Sequence, residues 1–134
     1  MALAACVPLV ALTVAGTACR SESAPAPSAS APRDDRADAA AAEAALREYF
    51  AAASAKACDR MTAVAAKAMT PDECAQSLEE IERHDTRFID VTKWARDGRD
   101  PSAMLASTRV TMDGRERVLV LRVERQDGRW KVRL

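Results

Sequence analysis

Apolar and polar positions divide the chain into three stretches of different character. Met1–Ala18 carries no Lys, Arg, Asp or Glu, and the first such side chain is Arg20. Ser21–Arg36 reads SESAPAPSASAPRDDR, without an aromatic or large aliphatic residue, so it cannot bury a core. Helical spacing begins after Asp38, which can cap a helix, and places Leu46, Tyr49, Phe50, Ala53 and Ala57 on one face. Asp59 can start a short second helix carrying Met61, Val64 and Ala68. Thr70-Pro71-Asp72-Glu73 then has the capping-box pattern with proline at the first helical position, and the third helix shows Cys74, Leu78 and Ile81 on one side.

Beyond His84 the apolar period changes to two, with turn signals at Asp97-Gly98, Asp113-Gly114 and Asp127-Gly128. This predicts four antiparallel strands: Arg87 to Trp94, Ser102 to Met112, Arg115 to Arg125 and Arg129 to Leu134. The expected fold class is α+β, with N-terminal helices packed on a curved four-stranded antiparallel sheet, over residues 38–134. In the third strand Val118-Leu119-Val120-Leu121 is apolar on both faces, the mark of a central strand with cover on each side. Helices would supply one cover. A second copy of the chain would supply the other, making a homodimer through the exposed sheet face, unless twist and strand ends shelter it.

This order of helices and strands, ending in Asp127-Gly128-Arg129-Trp130-Lys131-Val132, resembles the NTF2-like superfamily. The resemblance implies a cone-shaped α+β domain. Its enzymes, ketosteroid isomerases and polyketide cyclases among them, place Asp, His and Tyr side chains in the cone's pocket.

The first stretch reads as a signal peptide, residues 1–18. Its core, Val7–Ala15, is shorter than the roughly 20 residues a membrane span needs, and Pro8 weakens a spanning helix. Ala15-Gly16-Thr17-Ala18 followed by Cys19 resembles the lipobox of bacterial lipoproteins, which implies that Cys19 is acylated and becomes the new N-terminus. Gly16 stands where Leu, Val or Ile is usual, and the extreme N-terminus lacks Lys and Arg. Cleavage after Ala18 without lipidation would give a secreted soluble protein instead. An uncleaved anchor, or a start other than Met1, is the other alternative. With a lipid on Cys19 the protein is exported and membrane-anchored in the cell envelope, at the outer membrane or the periplasmic face. Residues 19–37 are then a tether, whose 16-residue Pro-containing part spans about 50 Å when extended.

Net charge is zero, but Arg20–His84 has twelve carboxylates and eight Lys or Arg, and Asp85–Leu134 reverses those numbers. Carboxylates interleave the basic stretch and export separates it from nucleic acid, so no nucleic-acid partner is expected. Cys6 leaves with the leader and lipidation consumes Cys19. Cys58 and Cys74 remain, and in an oxidising compartment they should form a disulfide worth roughly 3 kcal/mol. One histidine and no Cys-x-x-Cys give no case for a metal, and the four glycines leave none for a phosphate loop, so no cofactor is expected.

Candidate chemistry rests on Tyr49, His84, Asp90 and Trp94. Asp90 interrupts an apolar strand between Ile89 and Val91 and shares simple alternation with Phe88 and Trp94. Buried there, it could move protons; facing solvent, the commoner case, it could not. Tyr49 reads more readily as core, and His84 as a helix end suited to the dipole. The leading expectation is a non-enzymatic envelope lipoprotein. It would bind a small apolar ligand, in a pocket lined by Phe50, Met61, Met104 and Trp130, or another envelope protein. A small isomerase-like or cyclase-like enzyme using a pocket carboxylate is the rival, and a structural spacer domain is the third reading.

Overall fold

A computed structural model describes residues 34–134. The leader, Cys19 and most of the tether lie outside the described residues. Three helices, α1 (Asp35–Ser54), α2 (Cys58–Val64) and α3 (Pro71–Arg83), precede four strands, β1 (Arg87–Arg96), β2 (Ala103–Met112), β3 (Arg115–Gln126) and β4 (Arg129–Arg133). The strands form one antiparallel sheet in the order β1-β2-β3-β4, curved, with the helices against its inner face: the fold is α+β.

Helix α1 starts earlier than the pattern suggests. Asp34, not Asp38, is its N-cap and accepts from the backbone N–H groups of Arg36 and Ala37. Asp38 is instead claimed by Arg96 at the end of β1, at 2.6 Å, and this ties the helix start to the sheet. Ala42, Ala45, Leu46, Tyr49, Ala52 and Ala53 form its buried face. Four of the six are alanines, so the helix backbone can lie close to the sheet. Ala57 is not on this face, because α1 stops at Ser54 and Ala57 is the N-cap of α2; Ala68 likewise falls beyond α2.

Both α1 and α3 end in Schellman motifs. The N–H of Ala57 donates to the carbonyl of Ala52 and that of Lys56 to Ala53; the N–H of Thr86 donates to Ile81 and that of Asp85 to Glu82. The left-handed residues these motifs require are Lys56 (φ 53°) and Asp85 (φ 41°), at positions usually given to glycine. Helix α3 begins as its capping box predicts, with Thr70 Oγ1 accepting from the Glu73 N–H and the Glu73 carboxylate accepting from the Thr70 N–H.

The core joins the buried face of α1 to Met61, Cys74, Met104, Ala106, Val123, Trp130 and Val132. A disulfide links Cys58, the first residue of α2, to Cys74 in the first turn of α3. It therefore pins the start of α2 to the start of α3. Its Cys74 sulfur lies 3.9 Å from the Met61 sulfur. The segment between these cysteines also covers a sheet edge: Ala65 bridges Val132 in parallel, the Ala66 N–H donates to the Val132 carbonyl, and Lys131 Nζ donates to the Ala63 carbonyl.

Candidate functional site

Strand β1 decides where the expected catalytic carboxylate lies. Phe88 pairs with Val110 and Asp90 with Arg109, so two steps along β1 match one step along β2. Consecutive residues of β2 point to opposite faces. A bulge between Phe88 and Asp90 has thus moved Asp90 away from the helices, and a second between Val91 and Lys93 returns Trp94, paired with Ala106, to the inner face. Thr92 fills the second bulge by donating its hydroxyl to the Ser107 carbonyl. The expectation that Asp90 shares a face with Phe88 and Trp94 is therefore corrected.

Asp90 accepts two hydrogen bonds from the Arg109 guanidinium, at 2.7 and 2.5 Å, while Arg109 also reaches Glu116 at 3.1 Å. Hydrogen bonding from Arg109 holds the Asp90 carboxyl below its ordinary pKa, against a smaller upward push from burial. A proton-transferring carboxylate needs the opposite shift. Tyr49 is buried, 4% exposed, where burial raises its pKa and a hydrogen bond with Ser77 partly opposes this. His84 caps α3 and lies 3.2 Å from both Glu80 and Asp113, latching the helix end to the β2–β3 turn. Neither is hydrogen-bonded to Asp90, and the three do not form one site.

Side chains of the chain itself occupy the interior where a ligand was expected. Met61 is 0% and Met104 2% exposed, and both belong to the core with Trp130. Phe50 is half-buried at the rim, where it packs on Phe88 with ring centroids 5.6 Å apart. The four do not converge on one cavity, so a pocket lined by Phe50, Met61, Met104 and Trp130 is also corrected.

The open face of the sheet is organised differently. Val120 and Val118, at 67% and 60% exposed, stand on β3 opposite Ser107 and Arg109. One side of this apolar centre is closed by Asp90, Arg109 and Glu116. On the other side Arg122 reaches Asp97 and Asp100, each at 2.7 Å, and Arg133 binds Glu124 through two hydrogen bonds. The sequence signalled the centre through the doubly apolar run in β3. Its charged borders had no such signal, because their partners come from different strands.

No protein-family model matches this chain, and neither does any curated protein. Among solved structures it is similar to an NTF2-like protein of unknown function from Cytophaga hutchinsonii, with 11% identity over 69% of this chain and 86% of that one, at a TM-score of 0.44. It is also similar to a candidate ketosteroid isomerase from Kribbella flavida, with 22% identity over 70% of this chain and 76% of that one, at a TM-score of 0.43. Neither likeness assigns an activity to this chain.

The ion pairs bordering the open face have a measurable consequence. Asp90, Asp100 and Glu124 all have lowered carboxyl pKa values: Asp90 mainly through Arg109, Asp100 through the Ser102 hydroxyl and N–H, and Glu124 through Arg133. A carboxyl that binds its proton more weakly folded than unfolded adds stability above its unfolded pKa, near 4, and loses it as pH falls through the folded value. The expected result is a urea midpoint nearly flat from pH 7 to about 5 that falls below pH ~4. Glu124→Gln should flatten the fall more than Asp90→Asn, because the Glu124 side chain is 8% exposed and that of Asp90 37%. A midpoint that rises on acidification would contradict this.

Proposed function

We propose that this protein is a non-enzymatic envelope lipoprotein, anchored through a lipid on Cys19, whose folded domain pairs with a second copy through the open sheet face. The observation that carries the pairing is the exposed apolar centre of that face, Val118 and Val120, bordered by charges that are paired within the chain. Such a centre with a polar border has the composition of an interface, whereas a free surface gains nothing from exposed valines. The outward position of Asp90 and the filled interior speak for a binding role over catalysis.

A second copy suits the size of the face. Four strands of this length offer about 600 Å² per copy, against roughly 800 Å² per partner in a standard interface. The pairing is accordingly modest in solution. Anchors that confine both copies to one membrane would raise its occupancy through effective concentration.

Sedimentation equilibrium of the full chain in density-matched detergent tests the pairing. Wild type should show a concentration-dependent dimer, and Val120→Asp, which buries a charge at the centre of the contact, should shift it to monomer, with Tm unchanged at concentrations where wild type is itself monomeric. Equal mass distributions for the two would overturn the dimer. Cys19→Ser tests the anchor by membrane fractionation and mass spectrometry: release of the chain, with loss of the acyl mass, is expected. Unchanged retention and mature mass would overturn it.

A further inference from the structure

Cys58 and Cys74 bracket a stretch of chain that touches the rest of the domain at few places. Its short helix, α2, starts after Ala57 without a side-chain cap, and Met61 alone of its residues is fully buried. Beyond α2, Ala65 and Ala66 lie along β4, where the Ala66 N–H donates to the Val132 carbonyl at 2.8 Å and Lys131 Nζ donates to the Ala63 carbonyl. The ion pair from Arg60 of α2 to Glu48 of α1 is exposed on both sides and contributes little. A helix of seven residues does not persist by itself in water, so the segment depends on these contacts and on the disulfide.

The chain on either side is fixed by other means. Helix α1 closes with its own Schellman motif and lies in the core through Leu46 and Tyr49. Past Cys74, α3 is held by the hydrogen bond between Tyr49 and Ser77. At its far end His84 reaches Glu80 and Asp113, and the Asp113 N–H donates to the His84 carbonyl at 2.7 Å. Residues 58–74 are therefore a flap between two anchored ends, and what the flap covers is the outer side of β4. The two sulfurs are unequally placed. Cys74 is 1% exposed, whereas Cys58 is half-buried and still presents surface to solvent.

We propose that the Cys58–Cys74 bond is a redox-sensitive catch: a dithiol opens it, the flap leaves Val132, and the outer side of β4 is uncovered. A thiolate of the dithiol attacks Cys58 Sγ. The Cys58–Cys74 bond breaks as the new S–S bond forms, and Cys74 leaves as a thiolate that takes up a proton. The second thiol of the dithiol loses its proton and displaces Cys58 from the mixed disulfide, and Cys58 is protonated in turn. Two electrons pass from the dithiol, which becomes a disulfide, to the protein, which gains two thiols. The sheet and α1 keep their own ladder and helix hydrogen bonds. The device rests neither on a lipid at Cys19 nor on the sheet-face pairing.

Amide hydrogen exchange, followed by NMR on the full chain in nanodiscs, reads the flap through Ala66 and the sheet through Ala106, which lies in β2 with a strand on each side. With dithiothreitol the Ala66 amide should exchange about a hundredfold faster than in the oxidised chain, the factor expected for a loop of this length. In the reduced chain it should also exchange well ahead of Ala106 and respond little to urea below denaturing concentrations, because opening the flap exposes little surface. Ala106 should accelerate steeply over the same range. Cys58→Ser with Cys74→Ser should match the reduced chain, with or without dithiothreitol. A bond that merely stabilises the whole domain predicts otherwise: Ala66 and Ala106 would exchange together in the reduced chain, with one urea dependence. That result, an Ala66 rate unmoved by dithiothreitol, or loss of near-UV circular dichroism on reduction would each overturn the proposal.

Discussion

Replacing Leu46 with alanine is expected to cost the folded domain about 3 kcal/mol, a large share of the 5–15 kcal/mol by which such domains are stable. Leu46 is 0% exposed in the middle of α1; of its buried neighbours on the helix, Ala42, Ala45, Ala52 and Ala53 are too short to fill the space it would vacate, and Tyr49 is held in place by its hydrogen bond with Ser77. On the other side the curved sheet presents Met104, Ala106 and Val123, fixed by ladder hydrogen bonds on both flanks. Little collapse is available, so the cavity cost adds in full to the lost transfer energy. Urea denaturation should show a lower midpoint with an unchanged slope. Leu46→Met, which conserves volume, should cost less than about 1.5 kcal/mol. A loss below about 1 kcal/mol for alanine would mean that α1 can settle onto the sheet, contrary to the packing described.

Loss of the Cys58–Cys74 bond is the second large effect. The bond closes a loop with a sequence separation of 16, worth roughly 3 kcal/mol in the chain-entropy account. Its position adds to this. The bridged segment contains α2 with the buried Met61, and continues through Ala65 and Ala66 to their pairing with Val132. Cys58→Ser with Cys74→Ser should lower Tm by more than about 10 °C in a domain of this size. Reductant should bring wild type to the same value and leave the double variant unmoved. A wild-type Tm indifferent to reductant would show that α2 holds without the bond.

The strand ends and the start of α3 were legible because their signals are local. Asp113-Gly114 and Asp127-Gly128 sit at positive φ in both residues, as two-residue hairpins require, and Thr70 to Glu73 forms its box without help from the rest of the chain. The face of Asp90 was not legible. Ile89 and Thr92, at the two bulges, are β-branched residues that suit regular strand, and only the pairing with β2 shows that the alternation slips twice. The end of α1 was obscured for a related reason: Lys56 occupies the position where glycine would have announced the stop. Asp34 and Asp38 are equally able caps by residue type, and the choice between them was made by Arg96, far along the chain. The supposed pocket failed because Met61, Met104 and Trp130 read the same way in sequence whether they line a cavity or fill it.

The two margins of the sheet bear on how large an assembly can grow. The bulges make β1 an irregular template, and Ala65 and Ala66 already occupy the outer side of β4, so neither margin offers an incoming strand an uninterrupted row of partners. Strand addition at a margin would leave a fresh margin each time and propagate into a fibre. Stacking of two sheet faces about a two-fold axis uses up both surfaces at once and stops at a pair. If two copies pair as proposed above, the assembly would close at two, because strand addition finds no clean margin from which to start.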